Sequence, residues 1–310
     1  MLCIVSCASD DASSDDETDG AGTSAPGSGD STAAGSTSDA STSGVDTGST
    51  SDGGSSGGDS SDGGETTGGE MQSPIVSAYH GLDMLPAQAA ALCGPAGVGQ
   101  DGMPVAFSSQ LVGDTVVPGS FSVRTPDGRD VVPTCATLAP ALEPLELHTV
   151  LLAGPFSMDG EVPLLVEVTG PVETLDGEIL EGASTEDITP LAEGPQLFLA
   201  ERYPPDQVGL EDECPEETLQ VVHLAWQGGV SGPDGAVLGE PQRLGVHVTL
   251  TNGDVVEPIA LGDDDPDNYV VACLDQDSPA VSVAVDADLF YDPGDDPNPQ
   301  TAIDVVEGGV

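Results

Sequence analysis

From Ser73 onward the chain places short apolar runs between Gly, Pro and Asp breaks, a spacing that suits strands and not helices. Residues 147–152, 163–168, 196–199 and 219–224 are leucine-rich or β-branched and bounded by such breaks, so each predicts a strand. Most of the 26 prolines fall in this part, where they end strands and exclude long helices. The pattern allows one short helix over 86–92, with Pro86 in its first turn and Gly94 beyond its end. The expectation is an all-β chain built as a sandwich.

Before Ser73 the pattern stops. Of the 65 residues from 8 to 72, 54 are Ser, Gly, Thr, Asp or Glu, and Val45 and Met71 are the large apolar side chains. Nothing there can offset the entropy of ordering, so the reading is a disordered acidic tether. A Gly/Ser coil of that length has an r.m.s. span of roughly 45 Å, extended further by charge repulsion. The run 58–63, Gly-Asp-Ser-Ser-Asp-Gly, is composition and not a serine-protease loop.

Two stretches of the folded part match without gaps. Residues 121–133 and 246–258 each carry a β-branched strand, then Asp127-Gly128 or Asn252-Gly253, then a second strand ending in proline. Asp-Gly and Asn-Gly predict a tight hairpin whose two central residues both take positive φ. Each hairpin lies between two cysteines, Cys93 and Cys135 or Cys214 and Cys273. Two related modules, over 73–205 and 206–310, is one reading; a continuous domain, or two unrelated ones, is the other. The order Pro104-Val105-Ala106-Phe107-Ser108, then Val117-Pro118 leading to Phe121-Ser122-Val123, then a Gly turn resembles bacterial Ig-like repeats of surface proteins. The resemblance implies an Ig-like β-sandwich with an adhesive or spacing role, and it carries over no catalytic residue.

Charge narrows the function. Fifty-five acidic residues face four arginines and no lysine, giving a formal net charge of −51. Such a polyanion is repelled by phosphate backbones and anionic headgroups, which excludes nucleic acid and electrostatic lipid binding. No run of about 18 apolar residues, the length a spanning helix needs, occurs. At the start, Ile4-Val5-Ser6-Cys7 resembles the bacterial lipobox, which implies cleavage before Cys7 and lipidation of that residue. Residues 1–7 then read as the end of a truncated signal peptide whose basic region precedes Met1. The expected location is the cell envelope, outer membrane or cell surface, through a lipid anchor.

Cys93, Cys135, Cys214 and Cys273 allow three pairings; Cys93–Cys135 and Cys214–Cys273 keep each bond inside one module. Zinc is the rival use, but no CxxC spacing supports it. The four histidines, His80, His148, His223 and His247, are scattered, without HExxH, GxSxG or a phosphate loop, and read as ordinary polar positions. Oxygen-rich turns hold Asp263, Asp265 and Asp267, and Asp288, Asp292 and Asp295, as candidate calcium ligands, although the Gly and Glu of an EF-hand loop are missing. The expectation is a non-enzymatic, tethered lipoprotein presenting sandwiches to an extracellular protein or polysaccharide. The alternatives are a secreted hydrolase using paired carboxylates, and a calcium-stabilised structural protein.

Overall fold

The computed structural model describes residues 73–309, except 81, 83, 86, 158–160, 208, 209, 211, 212 and 263–266. Cys7 and the segment 8–72 therefore lie outside the described residues. The strands are β1 (Ile75–His80), β2 (Asp101–Phe107), β3 (Phe121–Arg124), β4 (Asp130–Val131), β5 (Cys135–Thr137), β6 (Thr149–Gly154), β7 (Leu165–Val168), β8 (Ser184–Thr185) and β9 (Thr189–Pro190). They form two sheets, β5-β6-β2-β1-β9 and β4-β3-β7-β8. The next nine are β10 (Leu197–Tyr203), β11 (Gln220–Trp226), β12 (Val246–Leu250), β13 (Val255–Val256), β14 (Ala260–Gly262), β15 (Tyr269–Leu274), β16 (Ala280–Val285), β17 (Thr301–Asp304) and β18 (Val306–Glu307). Their sheets are β14-β15-β11-β10-β18 and β13-β12-β16-β17.

Adding nine to each strand number converts the first arrangement into the second. In immunoglobulin letters both read DEBA and C′CFG, with the end of the last strand returning to pair parallel with strand A. The described residues thus form two Ig-like β-sandwiches with one topology. The strand β10, which falls before the expected boundary at 205, is the A strand of the second sandwich and pairs with β11. The crossing lies between Pro190 and Leu197, and Pro204-Pro205 follows that strand instead of separating modules.

Each sandwich closes on its own apolar layer. In the first, Met103, Val105, Phe107, Val150 and Leu152 face Phe121, Val123, Val166 and Val168. In the second, Val222, Leu224, Trp226, Val270 and Ala272 face Val246, Val248, Val283, Val285 and Phe290. Alternation along each strand supplies these inward positions, and each fully buried Val, Leu or Phe contributes about 1.5–3 kcal/mol. Trp226 stacks on Phe290 with ring centroids 4.7 Å apart.

The matched hairpins are the equivalent C–C′ turns, in the same register: Val123 pairs with Val131 and Val248 with Val256. Their turn differs from the tight form expected. Gly128 (φ 82°) and Gly253 (φ 89°) have positive φ, whereas Asp127 and Asn252 do not. Gly128 N donates to Thr125 O and Thr125 N to Arg129 O; Gly253 N donates to Leu250 O and Leu250 N to Asp254 O. This is a three-residue loop, a type I turn followed by a left-handed glycine, for which Pro126 in the second turn position is suited. The short helix is present as a 3₁₀ turn, Ala87–Ala89, running into α1 (Ala90–Cys93). A second helix, α2 (Glu240–Leu244), was not expected from the sequence.

The disulfides are Cys93–Cys135 and Cys214–Cys273, each within one sandwich. Both hold the segment after strand A against the DE edge, but on different strands. Cys135 is on β5 (strand D) and Cys273 on β15 (strand E).

Candidate functional site: the junction between the sandwiches

The outer face of the second sandwich's DEBA sheet is not left to solvent. Every residue of β11 and β15 is buried. One side of each faces the core, and the other meets residues 141–149 of the first sandwich, the link into β6, together with Leu210 and Cys214 of the second. Leu145 packs with Tyr203, Leu210, Val221, Val271 and Cys273, and Ala141 with Ala225 and Tyr269. Tyr269 Oη donates to Glu146 O at 2.7 Å, and Asn268 Nδ2 donates to Thr149 Oγ1 at 3.2 Å.

A second contact is made by the loop between β16 and β17. Asp292, 3 % exposed, accepts at Oδ1 from Gly294 N (2.8 Å) and Asp296 N (3.0 Å), which folds the loop. Its Oδ2 accepts from Tyr79 Oη on β1 at 2.9 Å, so one carboxylate shapes a loop of the second sandwich and anchors it to the first. Burial raises the Asp292 pKa, partly opposed by these bonds. Burial and the Asp292 charge raise that of Tyr79.

At the centre of the junction lie His148 and Glu146 from the first sandwich, with Glu201, Tyr203, His223 and Tyr269 from the second. His148 is 2 % exposed. Its Nδ1 lies 3.0 Å from Phe107 O, and because a carbonyl can only accept, that nitrogen carries the proton. The Nε2 lone pair then has no hydrogen-bond partner and faces Glu201 Oε2 at 3.6 Å. Glu201 Oε2 accepts from Tyr203 Oη at 3.0 Å. Glu201 and His223 are opposite each other in the β10–β11 ladder. The His223 ring stacks on Tyr269 at 4.8 Å, meets Tyr203 edge-on at 6.4 Å, and points Nε2 at Glu146 Oε1, 3.9 Å away.

Burial pushes His148 down to about 4, which the bond to Phe107 O only partly opposes. Burial, and then the neighbouring His148, push His223 down to about 3. Burial raises Glu201, partly offset by the Tyr203 hydroxyl. The arrangement therefore holds uncharged imidazoles next to carboxylates where water does not reach. His247, by contrast, is partly exposed on β12, with Nε2 3.2 Å from Asp286 Oδ2.

The expected calcium ligands are placed as follows. Asp263 and Asp265 lie outside the described residues. Asp267 is buried, its Oδ1 accepting from Tyr269 N at 2.8 Å, so it positions the start of β15. Asp292 is filled by the three donors above. Asp295 Oδ1 accepts from Asp234 N at 3.0 Å, and Asp288 N donates to Asn298 O. Among the described residues, no group of three or more His, Cys, Asp or Glu side chains is placed to hold a metal ion. No protein-family model matches the chain, and no curated protein matches it at a significant level.

Proposed function

We propose that this chain is an exported envelope lipoprotein, held by a lipid on Cys7, whose two Ig-like sandwiches act as one rigid unit for binding or spacing. The observation that carries this reading is the junction. A binding or spacing element must transmit position, and here the central strands of one sheet face of the second sandwich pack on residues 141–149 of the first, so the pair does not simply swing on the 191–196 link. The two disulfides fit an oxidising compartment. The negative charge favours a neutral or cationic extracellular protein or a polysaccharide over any anionic polymer.

The test is made in the producing cell. The wild-type protein is expected to incorporate labelled palmitate, to fractionate with the envelope and to be shaved from intact cells by protease. Cys7→Ser is expected to lose the label and the attachment. Unlabelled wild-type protein in the soluble cell interior would overturn the proposal, and release of fragments from envelope polymer by the purified chain would replace it with the hydrolase.

A further inference from the structure

Two imidazoles, two carboxylates and two phenols occupy an interface that excludes water and joins two otherwise self-sufficient sandwiches. We propose that this junction is a proton-operated latch, which holds the sandwiches together at neutral pH and releases them in acid.

The groups that face the histidines come from every element around them. Glu146 and His148 lie on the link into β6; Glu201 and Tyr203 are on β10, His223 on β11 and Tyr269 on β15. Arg202, the next residue along β10, points to the opposite face and pairs with Glu307. The chain has no lysine, so no lysine ammonium is among these groups.

Counting protons gives the mechanism. One proton shared by His148 Nε2 and Glu201, 3.6 Å apart, satisfies a buried lone pair beside a carboxylate; a second can be shared between His223 Nε2 and Glu146 Oε1, 3.9 Å apart. The latch tolerates these. A further proton in either pair leaves an imidazolium beside a neutral acid, with no water and with the other imidazole close enough to repel it. Such a charge is stabilised only by hydration, which requires the two faces to part.

The sign follows from the directions of the shifts. Both histidines are held below the value of about 6.5 that they regain when exposed. Their contribution is fully present above that value and is lost as pH falls toward about 4 for His148 and about 3 for His223. Glu201 runs the other way, being raised, so its burden is greatest at neutral pH and mild acid relieves it. The closed form therefore tolerates mild acid and fails below it. Each histidine that binds its proton only when open lowers the closed-to-open ratio by up to about tenfold per pH unit.

The four histidines make the test direct. In the full chain labelled with ¹³C-histidine, His148 and His223 are identified by His148→Asn and His223→Phe, and all four rings are titrated. The expected result is two midpoints below about pH 5. Over the same range, hydrogen exchange is expected to accelerate in 141–149 and 220–226 while β3, β7, β12 and β16 stay protected. The double variant, which lacks both titrating rings, is expected to keep 141–149 protected until the cores themselves melt. If either ring titrates near 6.5, if both titrate low without faster exchange at the junction, or if junction and cores open in a single step, the latch is refuted. Those wild-type readouts decide the matter even if a variant fails to fold.

Discussion

Replacing Asp292 with alanine removes three hydrogen bonds from one buried residue. Tyr79 Oη loses its acceptor at 2.9 Å, and the amides of Gly294 and Asp296 lose theirs. A buried hydroxyl deprived of its acceptor costs about 1–3 kcal/mol, and each loop bond contributes about 0.5–1.5 kcal/mol. Removing a carboxylate whose pKa burial has raised returns part of that, leaving a net loss of about 2–4 kcal/mol. Asp292→Asn keeps an oxygen for the two amides, so it is expected to cost less. A raised carboxyl contributes most below about pH 3.8 and less as pH climbs through its folded value, so the deficit of Asp292→Asn against wild type shrinks with rising pH. Urea unfolding of wild type, Tyr79→Phe, Asp292→Ala and the double variant completes a cycle. A coupling of about 1–2 kcal/mol is expected, since the two side chains belong to different sandwiches. A coupling of zero, with Asp292→Ala within about 0.5 kcal/mol of wild type, would refute the contact and the anchoring derived from it.

Three further outcomes follow from the fold. Gly128→Ala and Gly253→Ala meet no atom within 4 Å but must hold positive φ, so each is expected to lower stability by about 1–2 kcal/mol, with Gly119→Ala close to neutral; thermal melts check this. Gly194→Ala puts its Cβ on Pro297 O, a backbone atom, and is expected to disturb the crossing between the sandwiches far more, seen as faster exchange around 194 and 297. Removing Cys93–Cys135 or Cys214–Cys273 opens loops of 42 and 59 residues and is expected to cost about 4 kcal/mol in each case by denaturant unfolding, the chain-entropy value for loops of this size.

The strands, the hairpin correspondence and both disulfide partners could be read because local signals carry them: alternation, glycine after Asp or Asn, and cysteines flanking each hairpin. The turn type was also written in the chain. Thr125-Pro126-Asp127-Gly128 puts proline and glycine where a type I turn wants them, although the Asp-Gly pair alone suggests the primed form. The junction was hidden for a physical reason. Glu201, Tyr203, His223 and Tyr269 occupy the outward positions of their strands, where polar residues ordinarily meet water; residues 141–149 of the first sandwich help to cover them, and no local pattern records that. One trace was present, since 269–274 reads Tyr-Val-Val-Ala-Cys-Leu without alternation, the mark of a strand buried on both faces. The expected boundary at 205 falls after β10, which already pairs with β11 of the second sheet, a long-range pairing that no local pattern records.

The central claim is that two Ig-like sandwiches form one rigid body through a buried polar junction. Residual dipolar couplings measured on the full chain at neutral pH test it most directly. Couplings from β1–β9 and from β10–β18 are expected to fit a single alignment tensor, in magnitude and in orientation. Two tensors of different magnitude would mean that the sandwiches reorient independently, and would contradict the account.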